Sequence, residues 1–586
     1  MSSGQGSEAA TTRERVPAHL RKYVVEQNLA EYNELDQAVW RFVLLQLHYR
    51  LKDTAHPAYV QGLAAAGIAI DRIPSITAMD NLLNRSGWGA VCVDGFIPPL
   101  AFQEFQALGI LPISANIRTL DHLVYTPAPD IIHEAAGHAP ILSDKTYADY
   151  LRAIGQAGAY AFSSREDARV YQAIFTLSEV KENPSATSAQ IQAAEAALSR
   201  AQSEVTWVSE ATRLSRLYWW TAEYGLVGAP NDYRLYGAGL LSSLSESHFC
   251  HAQEVEKVPL SVACLDVPYD ITRPQPQLFV AEDFDHLTSV LREAEESLAY
   301  TVGGRHALQM ARASSELATL EFENGVGLTA TVVDFDTSEE MRWVAVAGPG
   351  AWLVDGGLRA RFGGAEKRVL PVGWPERIPE GIGERELVST VCNNIRTVDL
   401  RWSGGIRCMG KLERCWLDTH GSVVGVTLSD YQLEVAEYGQ CGARLDLGLL
   451  SRFRTARRGA LSAHYYEASE YSHNRIPRPR TLPEAQQTLL KLYEQAIHVF
   501  RTELGGIAVG NFANIYQRLE RDFPNEWLLR WNLLECLSKL QFEGKLKEDL
   551  LADLADLEVR FQHQQPVASG LRYLAREVGS RAPRRD

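Results

Sequence analysis

At 586 residues the chain is too long for one ordinary domain, and a prior of about 150 residues per domain predicts roughly three or four folding units. Hydrophobic residues make up 46% and charged residues 22%, which excludes collagen-like, wholly disordered and disulfide-scaffold classes. The net charge of −15, eight cysteines without a C-x-x-C pair, and the lack of a signal peptide or long apolar run predict a cytoplasmic protein with reduced thiols that binds neither nucleic acid nor membranes.

The first half of the chain has a helical pattern. Small and polar residues at 1–20 predict a disordered leader. Apolar residues then recur at steps of three and four, as in Leu35, Val39, Phe42, Val43 and Leu47. We therefore expect a mainly helical unit over 21–312, with an inserted helical segment at about 163–204 that is rich in Ala, Glu and Gln.

The second half changes character twice. Short β-branched runs separated by glycines, such as Leu328 to Val333 and Val423 to Leu428, predict a β-rich domain over 318–455. A stretch rich in Pro and Arg indicates a linker over 456–484. Helical periodicity then returns, and we expect a helical C-terminal domain over 485–578.

One segment, 125–140, combines residues that bind metals. His133 and His138 are five residues apart, and Glu134 follows the first of them. The zinc-protease motif H-E-x-x-H needs a step of four, which keeps both imidazoles on one face of a helix. A step of five disfavours that motif, but the rings can still converge if the helix is distorted near Pro129 or Gly137.

A third ligand is available in Glu223, which follows an apolar, aromatic run that begins at Tyr218. An unpaired carboxylate buried there would cost several kcal/mol, and a metal would remove that cost. Two imidazoles and one carboxylate form the facial triad of non-haem Fe(II) enzymes. On spacing alone the alternative stays open that Glu223 pairs with an arginine and that both histidines are core residues.

Three stretches together carry a resemblance to a known family: 125–140, 218–226 and 236–243. In them the chain resembles the pterin-dependent aromatic amino acid hydroxylases, in a long bacterial-type form with an extra C-terminal region. The resemblance covers about 30–300 and implies the mainly α-helical catalytic domain of that family. It makes His133, His138 and Glu223 the iron ligands, Ser242 the serine that orients an iron-bound histidine beside the substrate, and Tyr218 a tyrosine close to the iron.

The resemblance also implies how the substrate is bound. Arg118 matches the arginine that clamps the substrate carboxylate, and Asp130 matches the acid that holds this arginine in place. Thr126 and Trp219 match residues of the substrate pocket. Trp219 and the apolar Ile271 favour phenylalanine, although such apolar differences are worth only about 1–3 kcal/mol each.

For the cofactor, the resemblance implies a tetrahydropterin, either tetrahydrobiopterin or a related pterin. Glu134 matches the glutamate beside the pterin, and Phe96 matches the phenylalanine on which its ring stacks. Fe(II) is the metal and O2 the co-substrate. The implied reaction is a monooxygenation of L-phenylalanine to L-tyrosine, as in phenylalanine catabolism.

Several alternatives remain at this point. The substrate could be tryptophan, or the phenylalanine ring could be hydroxylated at the meta position. From other classes, the chain could be an inactive hydroxylase-like scaffold or a zinc hydrolase, and metal analysis would separate these from an iron enzyme. The C-terminal half is a candidate for control or for assembly of a homo-oligomer.

Overall fold

The structure is a computed structural model that describes residues 11–123, 129–183, 186–271, 273–338, 341–363, 367–372, 397–402, 406–435, 438–449, 452–459, 484–502 and 505–560. Within these ranges a mostly helical half is followed by a β unit and then by further helices. None of the helices in these ranges is long and apolar enough to cross a bilayer.

Nine of the fourteen α-helices described in the first half start at a side-chain cap. Asn33 caps the longest of the early helices and forms a capping box with Asp36. The α-helices are α1 (Thr12–Arg15), α2 (Glu34–Leu51), α3 (Pro57–Ala65), α4 (Ile76–Leu83), α5 (Pro99–Ala107), α6 (Lys145–Tyr160), α7 (Arg165–Glu182), α8 (Ser188–Ser203), α9 (Glu210–Tyr218), α10 (Ala238–Ser242), α11 (Glu246–Phe249), α12 (Phe284–Glu295), α13 (Ala299–Val302) and α14 (Gly304–Ser314).

Two short sheets complete this half. Strands β1 (Gly89–Val93) and β2 (Ile110–Ser114) pair in parallel and flank α5. The other sheet has the order β4-β3-β6-β5, from β3 (Leu226–Ala229), β4 (Asp232–Leu235), β5 (Glu256–Pro259) and β6 (Gln277–Ala281).

The N-terminal segment differs from the expected leader. Residues 11–20 include α1, and Val16 and Leu20 are at most 1% exposed. These two apolar side chains belong to a cluster with Val91 of β1 and Phe105 of α5. Burial of apolar area therefore holds this segment on the helical half, a contact that local polarity could not reveal.

The predicted insertion forms a helical hairpin. Helices α7 and α8 pack through Leu177, Ala194 and Leu198, which form a small separate cluster. Ser164 and Thr187 provide the capping boxes of the two helices.

The β unit consists of two antiparallel sheets around one core. One sheet has the order β10-β9-β8-β7-β16 with β11 also on β9, and the other has the order β12-β13-β14-β15. The strands are β7 (Leu317–Phe322), β8 (Val326–Phe335), β9 (Trp343–Val354), β10 (Gly357–Phe362), β11 (Arg368–Pro371), β12 (Thr397–Trp402), β13 (Ile406–Leu417), β14 (Val423–Val435), β15 (Tyr438–Gly448) and β16 (Phe453–Arg458). The last strand pairs with the first and extends past the expected boundary at 455.

The C-terminal helices are α15 (Glu484–Thr502), α16 (Gly505–Asp522), α17 (Leu528–Lys539) and α18 (Lys545–Arg560). They were expected as a separate domain over 485–578, of which 561–578 lie outside the described residues, as does most of the predicted linker. In the structure their apolar side chains share one continuous core with the helical half. Phe42 of α2 packs edge-on against Trp527 and Trp531, with ring centroids 4.7 and 5.2 Å away.

Candidate metal centre

The two histidines of the 125–140 segment lie on a π-helical turn. Residues Ile132–His138 form this turn, and a second π-helical turn, Trp219–Glu223, ends at the predicted third ligand. A π-helix closes i→i+5 hydrogen bonds, so residues five apart lie about one turn apart. The ring centroids of His133 and His138 are accordingly 5.0 Å apart. The distortion that the step of five required is thus present.

Glu223 faces both imidazoles. Its Oε2 lies 3.3 Å from His133 Nε2, and its Oε1 lies 3.2 Å from His138 Nε2. Glu134 is a second acid at the same place, since a ligand atom of this residue lies within 4.8 Å of ligand atoms of both histidines. Glu134 Oε2 is 4.0 Å from His138 Nε2 and, among the described residues, has no hydrogen-bond partner. The carboxylate oxygens of Glu223 lie closer to the two Nε2 atoms than Glu134 Oε2 lies to His138 Nε2. Glu223 is therefore the better third ligand, and Glu134 lies beside the centre.

Ser242 sets the tautomer of His133. Its hydroxyl donates to the carbonyl of Ala238 at 2.7 Å and lies 3.0 Å from His133 Nδ1. Because its single proton is already used, the hydroxyl accepts from Nδ1–H, which leaves the Nε2 lone pair for a metal. Gly137 allows α10 to come this close, since a Cβ there would lie 2.8 Å from the carbonyl oxygen of Ala238.

The charges of the centre depend on each other. Burial opposes ionisation of Glu223, but the two imidazoles lower the pKa of this carboxyl well below its usual range. Burial would lower the pKa of His133, but Glu223 raises it to about 9. Burial raises the pKa of Glu134. A metal cation bound at Nε2 would replace the proton that gives His133 its positive charge, while Ser242 keeps the other proton on Nδ1.

Arg118 and Asp130 form a buried, doubly hydrogen-bonded ion pair. Arg118 Nε donates to Asp130 Oδ2 at 2.8 Å, and Nη2 donates to Oδ1 at 2.9 Å. Asp130 also accepts from the backbone N–H of Arg118 and of His133, both at 3.0 Å. Burial opposes ionisation of Asp130, but Arg118 lowers its pKa. The same acid therefore orients the arginine and holds the start of the π-helical turn.

Trp219 is held in place from two sides. Its ring stacks on Tyr269 with centroids 4.2 Å apart and planes 7° apart, and its Nε1–H donates to Gln275 Oε1 at 3.2 Å. Gln275 in turn donates to the carbonyls of Asp270 and Arg273, both at 2.9 Å. This buried glutamine ties Trp219 to the loop that carries Ile271, and sequence reasoning missed it.

Helix α5 contributes two further residues that sequence reasoning missed. Phe102 lies edge-on to Tyr218 and to His138, with ring centroids 6.0 and 6.4 Å away. Gln106 donates to the Tyr218 hydroxyl at 2.6 Å. The i, i+4 spacing of Phe102 and Gln106 on a helix that begins at a proline was the available signal. Phe96, the predicted pterin contact, lies with its ring centroid 5.6 Å from that of Tyr171 on α7.

The structure therefore brings nine of the eleven predicted site residues together, through the two π-helical turns and the contacts above. Phe96 is the exception among the described residues, since its ring contacts Tyr171. Thr126 lies outside the described residues. The donor set fits a divalent metal because it combines two imidazoles, a carboxylate and an oriented tautomer. The side chains of His133 and Glu223 keep 19% and 12% of their surface exposed.

A family model described as biopterin-dependent aromatic amino acid hydroxylase matches residues 11–210 and 205–303, which together span half of the chain. Among similar proteins, the phenylalanine-4-hydroxylase of Ralstonia nicotianae is 29% identical over 273 residues, which cover 46% of this chain and 73% of the relative. That of Chromobacterium violaceum is 29% identical over 268 residues, which cover 45% of this chain and 75% of the relative.

Similar solved structures include phenylalanine hydroxylase from Chromobacterium violaceum bound to cobalt, with 27% identity, a TM-score of 0.36, and coverage of 46% of this chain and 82% of that chain. Another is the same enzyme with bound iron(III) and 7,8-dihydrobiopterin, with 25% identity, a TM-score of 0.38, and coverage of 49% and 92%.

Proposed function

Since the chain belongs to the biopterin-dependent aromatic amino acid hydroxylases and is a pterin-dependent aromatic amino acid monooxygenase, we propose that it converts L-phenylalanine to L-tyrosine. Fe(II) and a tetrahydropterin are the cofactors, and O2 is the co-substrate. The observation that carries the proposal is the pair of imidazole Nε2 atoms, 3.3 and 3.2 Å from the two oxygens of Glu223.

The proposed metal ligands are His133, His138 and Glu223. Two imidazoles and one carboxylate suit Fe(II) and leave open coordination positions. The chemistry that iron and the pterin supply when bound is reductive activation of O2 and delivery of one oxygen atom to the ring. Ser242 keeps the Nε2 lone pair of His133 available to the metal, and Glu134 is the proposed glutamate beside the pterin.

Arg118 is the proposed anchor of the substrate carboxylate. Of its five N–H groups, two donate to Asp130 and one Nη1–H reaches the carbonyl of Ser242 at 3.4 Å. Among the described residues, one N–H on Nη1 and one on Nη2 make no further hydrogen bond, and this is the pair that a second carboxylate needs for a bidentate contact. Burial of the guanidinium strengthens that contact, because water competes poorly there.

Phenylalanine is preferred over the other aromatic amino acids for two reasons. The relatives at 29% identity are phenylalanine-4-hydroxylases. Trp219 and the half-buried Ile271 also present apolar surface, and neither offers a hydrogen-bond acceptor for a phenol or an indole N–H. The Trp219 N–H is already used by Gln275.

The direct test is anaerobic loading with Fe(II), followed by air, tetrahydropterin and a mixture of phenylalanine, tyrosine and tryptophan. Products are separated by retention time and mass. We expect para-tyrosine. Meta-tyrosine or a hydroxytryptophan would contradict the substrate and position assignment, and no product from any substrate would contradict the activity.

A matched pair of variants tests the metal site. His138→Ala should lose most of its iron and its turnover, because it removes a fully buried ligand. His251→Ala is the control, since His251 is exposed and stacks on Tyr233 instead. Full iron content in His138→Ala would contradict the ligand assignment, and zinc in place of iron in the purified protein would point to a hydrolase.

A further inference from the structure

The β unit reaches into the helical half through its last strand. Arg458, at the end of β16, is 4% exposed, and its Nη2 donates to the carbonyl of Ala159 at the end of α6, 3.3 Å away. The same Nη2 lies 3.6 Å from Glu104 Oε1 on α5. A guanidinium from one folding unit is therefore buried against a carboxylate of another.

Glu104 has a second partner from the N-terminal segment. His19 Nε2 forms a hydrogen bond with Glu104 Oε2, and both side chains are largely buried. A carboxylate accepts at both oxygens, so Glu104 links the N-terminal segment, α5 and the β unit. Buried ion pairs of this kind add little net stability, but they fix the relative placement of the elements that carry them.

Helix α5 is also the helix that supports the metal centre. Phe102 lies against the rings of His138 and Tyr218, and Gln106 is fully buried and holds the Tyr218 hydroxyl. A helix moves as a rigid rod over this length, so a shift at Glu104 displaces Phe102 and Gln106 as well. The α5–α6 contact is tight, since a Cβ on Gly155 would lie 2.7 Å from the backbone nitrogen of Ala107.

We propose that Arg458 is a positioning residue for the metal centre: through Glu104 it holds α5 where Phe102 and Gln106 brace His138 and Tyr218. The β unit thereby acts on the hydroxylase site without contributing a ligand. The proposal rests on the function proposed above for the identity of the reaction, but the placement of α5 can be measured without turnover.

The test compares Arg458→Met with Arg457→Met in the full chain. Arg457 is the matched control because it precedes Arg458 on the same strand, pairs with Glu321 and lies over the ring of Tyr160, 4.2 Å from its centroid. We expect Arg458→Met to accelerate amide hydrogen exchange over 99–107 and to weaken Co²⁺ binding by about 10-fold, a loss typical of residues that support metal ligands. Arg457→Met should change Co²⁺ binding less than about 2-fold.

Activity provides a second readout. In the iron-loaded enzyme, Arg458→Met should lower kcat/KM for the pterin by about 10-fold. It should also increase the amount of pterin oxidised per ring hydroxylated, because displaced side chains around the site hold the reactants less often in the reactive geometry. If wild type makes no product, the proposed function fails while hydrogen exchange and Co²⁺ binding still test the positioning role. If wild type is active and the two variants behave alike in every readout, the positioning role is overturned.

Glu104→Gln probes the same link from its other end and covers the case in which Arg458→Met does not fold. It should reproduce the Co²⁺ and exchange effects. In the double variant Glu104→Gln, Arg458→Met the loss of Co²⁺ affinity should be smaller than the sum of the two single losses. Both changes remove the Arg458–Glu104 contact, and each also affects a contact of its own, to Ala159 or to His19. Additive losses would show that the two residues act separately and would overturn the proposal.

Discussion

Replacement of Ser242 by alanine removes the hydroxyl that accepts from His133 Nδ1–H at 3.0 Å. Ser242 is 1% exposed, so water cannot readily take its place and the imidazole N–H is left without an acceptor. An unsatisfied buried donor costs about 1–3 kcal/mol. Loss of a partner that orients a ligand histidine typically weakens metal binding by about 10- to 100-fold, or about 1.4–2.7 kcal/mol. We expect a loss of Fe(II) affinity in this range.

The assay is an anaerobic titration in which the apoprotein competes with a coloured Fe(II) chelator. Ser243→Ala is the control, because the Ser243 hydroxyl contacts Ser245 and the backbone N–H of Glu246 and does not contact His133. Thermal melts of the apoproteins separate a local effect from general loss of stability. An unchanged Fe(II) affinity in Ser242→Ala would refute the tautomer argument. Equal losses of Fe(II) affinity in Ser242→Ala and Ser243→Ala would show that the effect does not depend on the contact with His133.

Three further predictions concern other parts of the molecule. Gln275→Leu leaves the Trp219 N–H and two loop carbonyls without their partners, so kcat/KM for phenylalanine should fall by about 10-fold while Co²⁺ affinity stays unchanged. Burial raises the pKa of Glu246 to about 7, from 4.5. Between those pH values the folded chain holds a proton that the unfolded chain has lost, so the free energy of unfolding falls as pH rises. Replacement of Glu246 by Gln should therefore raise the free energy of unfolding by up to about 3 kcal/mol at pH 8 and by much less at pH 5. Thermal melts at the two pH values measure this difference. Trp531→Ala should cost about 3–5 kcal/mol and lower the melting temperature of the helical half together with that of the C-terminal helices, because Trp531 packs on Phe42.

Each of these has a result that would contradict it. A Gln275→Leu enzyme with wild-type kinetics would show that Trp219 keeps its place without the hydrogen bond. A gain in Glu246→Gln that is larger at pH 5 than at pH 8 would reverse the assigned sign. Separate unfolding of the C-terminal helices in Trp531→Ala would contradict the shared core.

Local patterns were sufficient for the elements that form from short-range interactions. The inserted helices follow from a segment rich in Ala, Glu and Gln, and α7 and α8 lie within 163–204. The β-branched runs lie in β8 and β14. The N-terminal segment was predicted less well, because the burial of Val16 and Leu20 depends on a distant surface formed by β1 and α5.

The candidate site shows the same division. His133, His138 and Glu223 could be chosen from the chain because their residue types are rare in such apolar surroundings and match a family pattern. Phe102 and Gln106 offered only their i, i+4 spacing as a signal, and Gln275 offered none, since an aromatic residue or an amide acquires a role only from what it contacts. The sequence also offered no sign that Phe96 contacts Tyr171 of the inserted hairpin, and the pterin contact of Phe96 stays a prediction.

The amino-acid sequence alone indicated the class of chemistry, because two histidines, a carboxylate and their surrounding motifs resemble one family, whereas spacing by itself left the metal site open. The tertiary structure decided how the parts act together: the π-helical turns bring residues five apart onto one side, and α2 joins the C-terminal helices in one core. It also decided that Arg458 of the β unit contacts Glu104 on α5, the helix that carries Phe102 and Gln106. Periodicity reports which face of an element is apolar, but not which other element covers that face, because that choice depends on the packing of the whole chain.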